Sequence, residues 1–259
     1  MITAEIPVTP AAPAPPVLAR RAWVEHVMGT AVSIHVRAVE PTRPDIEAAV
    51  RRAFAHLRRV DAVFSTWRAD SDLLRLQHHE TDEVHAWVAD VVELCLEAEE
   101  RTDGLFSAWR GRADGRTVFD PTGLVKGWAA AGAAEHLAVV PEIAYSLGAG
   151  GDVAVGVGPG PSAAAPTWRI GLEDPRHAGR VADVVAVRRG GVATSGAAAR
   201  GAHVVDPRTG WGVSRPGSCT VVGPDLTWAD VWATAAWVDP ERVARLLPER
   251  DPEYSLIVL

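Results

Sequence analysis

Four small-residue-rich strings in a fixed order constrain this 259-residue chain more than any other feature. They are DPTGLVKGWA at residues 120–129, GAGGDVAV at 148–155, VATSG at 192–196 followed by HVVDPRTG at 203–210, and TWADVWATAAW at 227–237. Three join glycines to acids, hydroxyls or a lysine, and the fourth joins alanines to Asp230 and two threonines. Such a mixture fills a core poorly. It suits backbone that must approach a polyanion and a metal closely. Lys126 is the only lysine in the chain. A point-charge donor inside a glycine-rich turn is a candidate phosphate ligand.

Charge narrows the partners. The net charge is −7, and no Lys/Arg run marks a nucleic-acid footprint, which argues against DNA or RNA binding. An acidic protein that binds an anion needs local compensation from a metal, a lysine or backbone N–H groups. Two cysteines are too few for a disulfide framework. Cys95 and Cys219 both lie in apolar runs and read as buried thiols. No stretch approaches about 18 apolar residues, so no membrane span is predicted. The start of the chain lacks a basic region, an apolar core and a lipid-attachment cysteine. It reads as a disordered Pro/Ala-rich tail over residues 1–20, ahead of one domain over 21–259 and with a cytoplasmic location.

Periodicity supplies the elements. Residues 23–36 alternate as one strand. Apolar residues at Ile46, Val50, Ala53, Leu57, Val60 and Phe64 repeat at three-four spacing, as an amphipathic helix does. A second helix is marked from Val84 to Ala98, and a third is predicted over 126–137. Asp70, Ser71 and Asp72 read as a helix cap. Beyond Ala144 come short strands at 145–147, 154–157, 168–172, 181–187, 192–194, 203–205 and 218–222. A helix over 228–238, another from Pro240 and a strand at 254–259 complete the chain. Helices early and strand meanders late argue for α+β. Neither a strand–GxGxxG–helix context nor GxxxxGK[ST] is present.

The motifs carry chemistry, each beside a plainer reading. DPTGLVKGWA ends a strand and opens a helix, with Gly123 permitting close approach and Lys126 in the first turn, facing an anion. The plainer reading is an Asp-Pro turn before a capped helix. Thr194, Ser195 and Gly196 offer hydroxyls at a permissive turn. His203 and Asp206 are candidate general bases; His203 is favoured because its ordinary pKa suits neutral pH. Asp230 and Thr234 are four apart, so a helix puts them on one face. A carboxylate and a hydroxyl there make a hard-oxygen pair suited to Mg²⁺. A dipole-stabilised acid and a back-bonded threonine would look the same in sequence. Trp67, in FSTWRADS, is the tryptophan best placed to stack on a planar ligand.

In order, the strings MGTAVSI, FSTWRADSDL, TDGLFS, DPTGLVKGWA, GAGGDV, ATSG, HVVDPRTG and VVGPDLTWADVWATA resemble the ApbE family of FAD:protein FMN transferases. The resemblance covers nearly the whole chain. It implies an α+β domain of two intimately packed subdomains with mainly antiparallel or mixed sheets. It implies an enzyme that moves the FMN half of FAD onto a Ser or Thr hydroxyl of a target protein and releases AMP. Mapped by motif, Asp230 and Thr234 would ligate magnesium, with the carbonyls of Gly123 and Ala233. Met28, Trp67, Leu105, Phe106, Ser107, Asp120, Lys126 and Val205 would contact FAD, beside Thr194, Ser195 and His203. Lys126 would neutralise a phosphate. The pattern departs at Ala131, Gly148 and residues 197–199, where this chain has small residues. An FAD pyrophosphatase and a flavin holder without turnover are the alternative activities.

Overall fold

A computed structural model describes residues 17–81, 83–111, 115–160, 166–196 and 204–259. Its frame is one seven-stranded sheet in the order β1-β2-β5-β6-β9-β10-β11, antiparallel throughout. The strands are β1 (Ala19–Val27), β2 (Thr30–Ala38), β5 (Ala144–Ala149), β6 (Asp152–Val157), β9 (Gly190–Gly196), β10 (Ser218–Gly223) and β11 (Ser255–Val258). Two hairpins stand apart: β3 (Trp109–Gly111) with β4 (Thr117–Phe119), and β7 (Trp168–Glu173) with β8 (Val181–Val187). The helices are α1 (Pro44–Phe64), α2 (Asp72–Gln77), α3 (Trp87–Arg101), α4 (Thr122–Ala138), α5 (Leu226–Val238) and α6 (Pro240–Arg250). The fold is α+β, as expected. The continuous sheet runs through both halves and makes them one domain.

Val32, Ile34, Val36 and Ala38 of β2 are fully buried at every second position, the period of a strand with one face on a core. That core is shared with α1, whose buried stripe runs from Ile46 to Phe64. Pro44 opens α1, and Asp45 and Glu47 occupy its first turn, where fixed φ and the helix dipole favour them. Helices α4 and α5 are buried more widely around their circumference. Gly127, Ala129, Ala130, Ala133 and Ala134 keep α4 slender enough to lie between α1 and α5. On a second apolar cluster, Trp168, Leu172 and Val187 of the β7–β8 hairpin pack with Ala144, Val155 and Val192 of the main sheet.

Three sequence expectations change. The single strand over 23–36 is two strands joined by a two-residue turn, with Met28 at φ 55° and Gly29 at φ 69°. Both central residues at positive φ match the twist of a tight hairpin. The alternation runs on either side of the turn, so periodicity alone did not reveal it. The sheet begins at Ala19, two residues inside the expected tail, with Ala19 and Arg20 opposite Ala38 and Arg37. Residues 1–16 lie outside the described residues. The expected strand at 203–205 is absent among the described residues: Val205 makes only an isolated bridge to Gly212, and His203 lies outside them. Ser71 does cap α2, accepting from the Leu74 N–H. Among the described residues no helix is long and apolar enough to cross a membrane.

Candidate active site

A cavity of about 1160 Å³ opens where the β1–β2 turn, the C-terminal end of α1, the start of α4 and the end of β9 meet. Met28 lines it from the hairpin turn, and its left-handed backbone is unusual for a side-chain-bearing residue. Trp67 stands at the rim, 94 % exposed, just past α1. Leu105, Phe106 and Ser107 enter from the segment after α3. That segment is fixed by Thr102, whose hydroxyl donates to the Ala98 carbonyl and accepts from the Phe106 N–H. Thr194 and Ser195 come from β9, and Val205 from the following loop.

Asp120 ends the β4 segment and organises the entry to α4. Its carboxylate accepts from the Thr122 N–H at 3.2 Å and the Thr122 hydroxyl at 2.6 Å, and it pairs with Arg110 at 3.0 Å. Helix α4 therefore begins at the cavity wall, with Thr122 and Gly123 lining it. A Cβ at Gly123 would come within 3.2 Å of the Phe106 ring, so glycine lets that ring lie on the helix. Because α4 starts at Thr122, Lys126 sits past the first turn rather than within it.

The charged floor is built from two helices and a strand. Lys126 forms close ion pairs with Asp152 and, at 3.3 Å, with Asp230. Asp152 and Asp230 are both buried, yet Lys126 and Asp230 line the cavity. Asp230 Oδ2 accepts the Gly127 N–H at 3.0 Å. A regular helix directs that N–H to the carbonyl of residue 123, so Asp230 competes with the Gly123 carbonyl for its donor. Glycine at 127 is what allows this approach: a Cβ there would lie 2.8 Å from Asp230 Cβ and 3.0 Å from the Leu226 carbonyl oxygen. Burial first, and then the Asp152 charge, raise the Asp230 carboxyl above its usual range, against the pull of Lys126. For Lys126, burial works against the charged form, but Asp230 and Asp152 outweigh it and its pKa is raised.

Thr234 lines the cavity one helical turn beyond Asp230, as their spacing requires. Carboxylate, hydroxyl and nearby helix-start carbonyl are hard oxygen donors of the kind Mg²⁺ takes, with positions left over for water or phosphate. Among the described residues no group of three or more His, Cys, Asp and Glu gathers as a metal site. Such a cation would rest on this mixed oxygen set. Ala233 is fully buried and is not among the cavity-lining residues.

Asp206 also stands apart from the lining. Arg208 clasps its carboxylate through Nε at 3.0 Å and Nη2 at 2.9 Å, and reaches Asp239 at 3.1 Å. Arg208 holds the Asp206 carboxyl below its usual range. Pro207 and Gly210 of the same loop do line the cavity, so Asp206 shapes the loop from behind. Sequence reasoning does not single out Asp152 or Arg110. The one signal for Asp152 was its place directly after two glycines. Nothing local marked Arg110, whose partner Asp120 lies across a hairpin.

A profile of the ApbE family matches residues 28–114 and 107–258. Solved structures of the same fold include the ApbE protein of Thermotoga maritima, at 21 % identity, covering 93 % of this chain and 94 % of that one, with a TM-score of 0.74. The flavin transferase ApbE of Vibrio cholerae is 19 % identical over 93 % and 97 % of the two chains, TM-score 0.72. The flavinyl transferase ApbE of Pseudomonas stutzeri is 18 % identical over 93 % of each, TM-score 0.73. No curated protein matches in sequence. The structural likenesses establish the fold, and the profile spans the site from Met28 through Thr234: the chain is a member of the ApbE family.

Proposed function

We propose that this chain transfers the FMN moiety of FAD onto a Ser or Thr hydroxyl of a target protein, with Mg²⁺, and releases AMP. The observation that carries the reading is the convergence of Lys126, Asp230 and Thr234 on one side of a cavity about 1160 Å³ in volume. That volume exceeds the usual drug-sized pocket and has room for a dinucleotide. The family and the names of its solved members support the same activity.

The hydroxyl oxygen of the acceptor attacks the phosphorus on the FMN side of the pyrophosphate. A phosphoester bond forms there, the bridging P–O bond breaks, and AMP leaves with that oxygen. The hydroxyl proton goes to His203 or Asp206. His203 is the better base, because the clasp of Arg208 leaves the Asp206 carboxylate a weak proton acceptor. Phosphoryl transfer demands positioning and charge neutralisation more than covalent catalysis. Trp67 and Met28 hold the flavin end, Thr194 and Ser195 offer hydroxyls, and Lys126 presents a donor to a phosphate oxygen. Magnesium, when bound, supplies charge neutralisation at the pyrophosphate. Asp230 and Thr234 would hold it, together with the Gly123 carbonyl. A cytoplasmic setting is part of the reading.

The test is AMP and FMN release from FAD, with and without Mg²⁺, beside a peptide carrying an aspartate-rich Ser/Thr acceptor segment. Mg²⁺-dependent AMP release with FMN on the peptide is the expected result. AMP with free FMN regardless of peptide would replace transfer by hydrolysis. Quenched flavin fluorescence without cleavage would make the chain a holder.

A further inference from the structure

Lys126 poses an electrostatic problem. Its ammonium lies 3.3 Å from the Asp230 carboxylate, the group on which a divalent cation would depend. A lysine paired with one carboxylate cancels it and repels a second cation from the same oxygens. The structure contains a remedy in Asp152, the first residue of β6. It is fully buried and is not among the cavity-lining residues. Its Oδ2 pairs closely with the Lys126 ammonium, while its Oδ1 accepts the Thr194 N–H at 3.1 Å. The turn at Gly150 (φ 59°) and Gly151 (φ 100°) brings it beneath the floor. The ammonium is thus drawn between two carboxylates. With both carboxylates ionised the group of three keeps one net negative charge, and an ammonium has a third N–H still to offer the cavity.

We propose that Asp152 is a positioning residue that takes up the charge of Lys126, so that Asp230 remains able to hold a divalent cation beside a lysine. The inference rests on the magnesium-dependent reading above. Asp152 does not touch the reacting atoms; it acts through Lys126. Indirect partners of this kind typically change metal affinity by roughly 10- to 100-fold when removed.

The experiment is Mn²⁺ binding in the absence of nucleotide, so that the phosphate role of Lys126 does not enter, followed by the electron paramagnetic resonance signal of the free ion. It is run on the wild type, Asp152→Asn, Lys126→Met and the double variant. Asp152→Asn keeps an acceptor for the Thr194 N–H, and thermal melts check that each protein is folded. The expected outcome is a roughly 10- to 100-fold weaker Mn²⁺ affinity for Asp152→Asn. Lys126→Met should bind at least as tightly as wild type, and the double variant within about twofold of wild type. Wild-type affinity in folded Asp152→Asn would overturn the proposal. A double variant as weak as Asp152→Asn would overturn it too, because Asp152 would then not act through Lys126. If Asp152→Asn does not fold, Lys126→Met still decides: weaker Mn²⁺ binding there refutes the idea. A wild type that binds no Mn²⁺ would instead remove the magnesium reading itself, and this inference with it.

Discussion

Gly127→Ala isolates the contact on which the site depends, the approach of α4 to α5. The added Cβ would meet Asp230 Cβ at 2.8 Å and the Leu226 carbonyl oxygen at 3.0 Å, where ordinary contact begins near 3.4 Å. The shortfall is about 0.6 Å at one atom and about 0.4 Å at the other. One neighbour is backbone and the other is the root of a buried side chain, so neither yields as a flexible tip would. Overpacking costs about 1–3 kcal/mol, while alanine regains about 1 kcal/mol of helix propensity over glycine. A net loss of about 1 kcal/mol lowers the Tm by about 2–4 °C in a domain of this size. Activity should suffer more. A misplacement of about 1 Å can cost roughly a hundredfold in rate, so a shift of half that size should cost roughly tenfold. Gly132→Ala is the control on the same helix. Its Cβ would meet the tip of His56, with Nε2 at 2.8 Å, and Gly132 is not among the cavity-lining residues. Calorimetry and chromatographic AMP release from FAD measure both variants. Both should melt slightly early, and only Gly127→Ala should lose AMP release. Full activity in Gly127→Ala, or equal losses in both, would refute the reasoning.

Other perturbations separate the remaining roles. His203→Ala should lower turnover by about 10²–10⁴-fold, the usual contribution of a general base, with flavin affinity retained. Asp206→Asn should cost much less, and the reverse order in steady-state rates would exchange the two assignments. Trp67→Ala should leave the Tm unchanged, because the side chain is 94 % exposed. It should weaken flavin binding by the roughly 2- to 10-fold that about 0.5–1.5 kcal/mol of stacking represents. Unchanged affinity in a fluorescence titration would remove Trp67 from the flavin site. Burial and the neighbouring His136 depress the pKa of His56 from its ordinary 6.5. The unfolded chain therefore binds more protons than the folded one between the two values. His56 contributes stability that is present above pH 6.5 and lost as pH falls toward its folded pKa. Calorimetric Tm should decline over that window, and His56→Gln should flatten the decline; an unaltered slope would exclude His56.

Local pattern marks only part of the cavity lining, namely Gly123, Lys126, Thr194, Ser195, Asp230, Thr234 and Trp67, whereas Met28, Leu105, Phe106, Ser107, Asp120 and Val205 enter through the family resemblance. Asp230 and Thr234 share a helix face by spacing alone. Trp67 lies in FSTWRADS, just past a helix end. Spacing also marked α1, and the short apolar runs marked the late strands apart from the one expected at 203–205. Spacing could not show that residues 23–36 turn back on themselves at Met28, since a two-residue hairpin preserves alternation on both sides. Lys126 looked like a free phosphate ligand for the same reason. Local sequence reports which groups are near in the chain, and both of its partners are far along it.

Composition, periodicity and the ordered glycine strings by themselves determined the α+β class, the buried helix faces and the set of residues with chemistry to offer. Only the tertiary structure decided how their charges are shared. It placed Asp152 of β6 under Lys126 of α4 and Asp230 of α5, drew the Gly127 N–H onto that carboxylate, and closed Arg208 around Asp206. Electrostatic pairing acts over a few ångströms of space, whatever the separation along the chain. The protonation and availability of these groups are therefore properties of the packed sheet and helices.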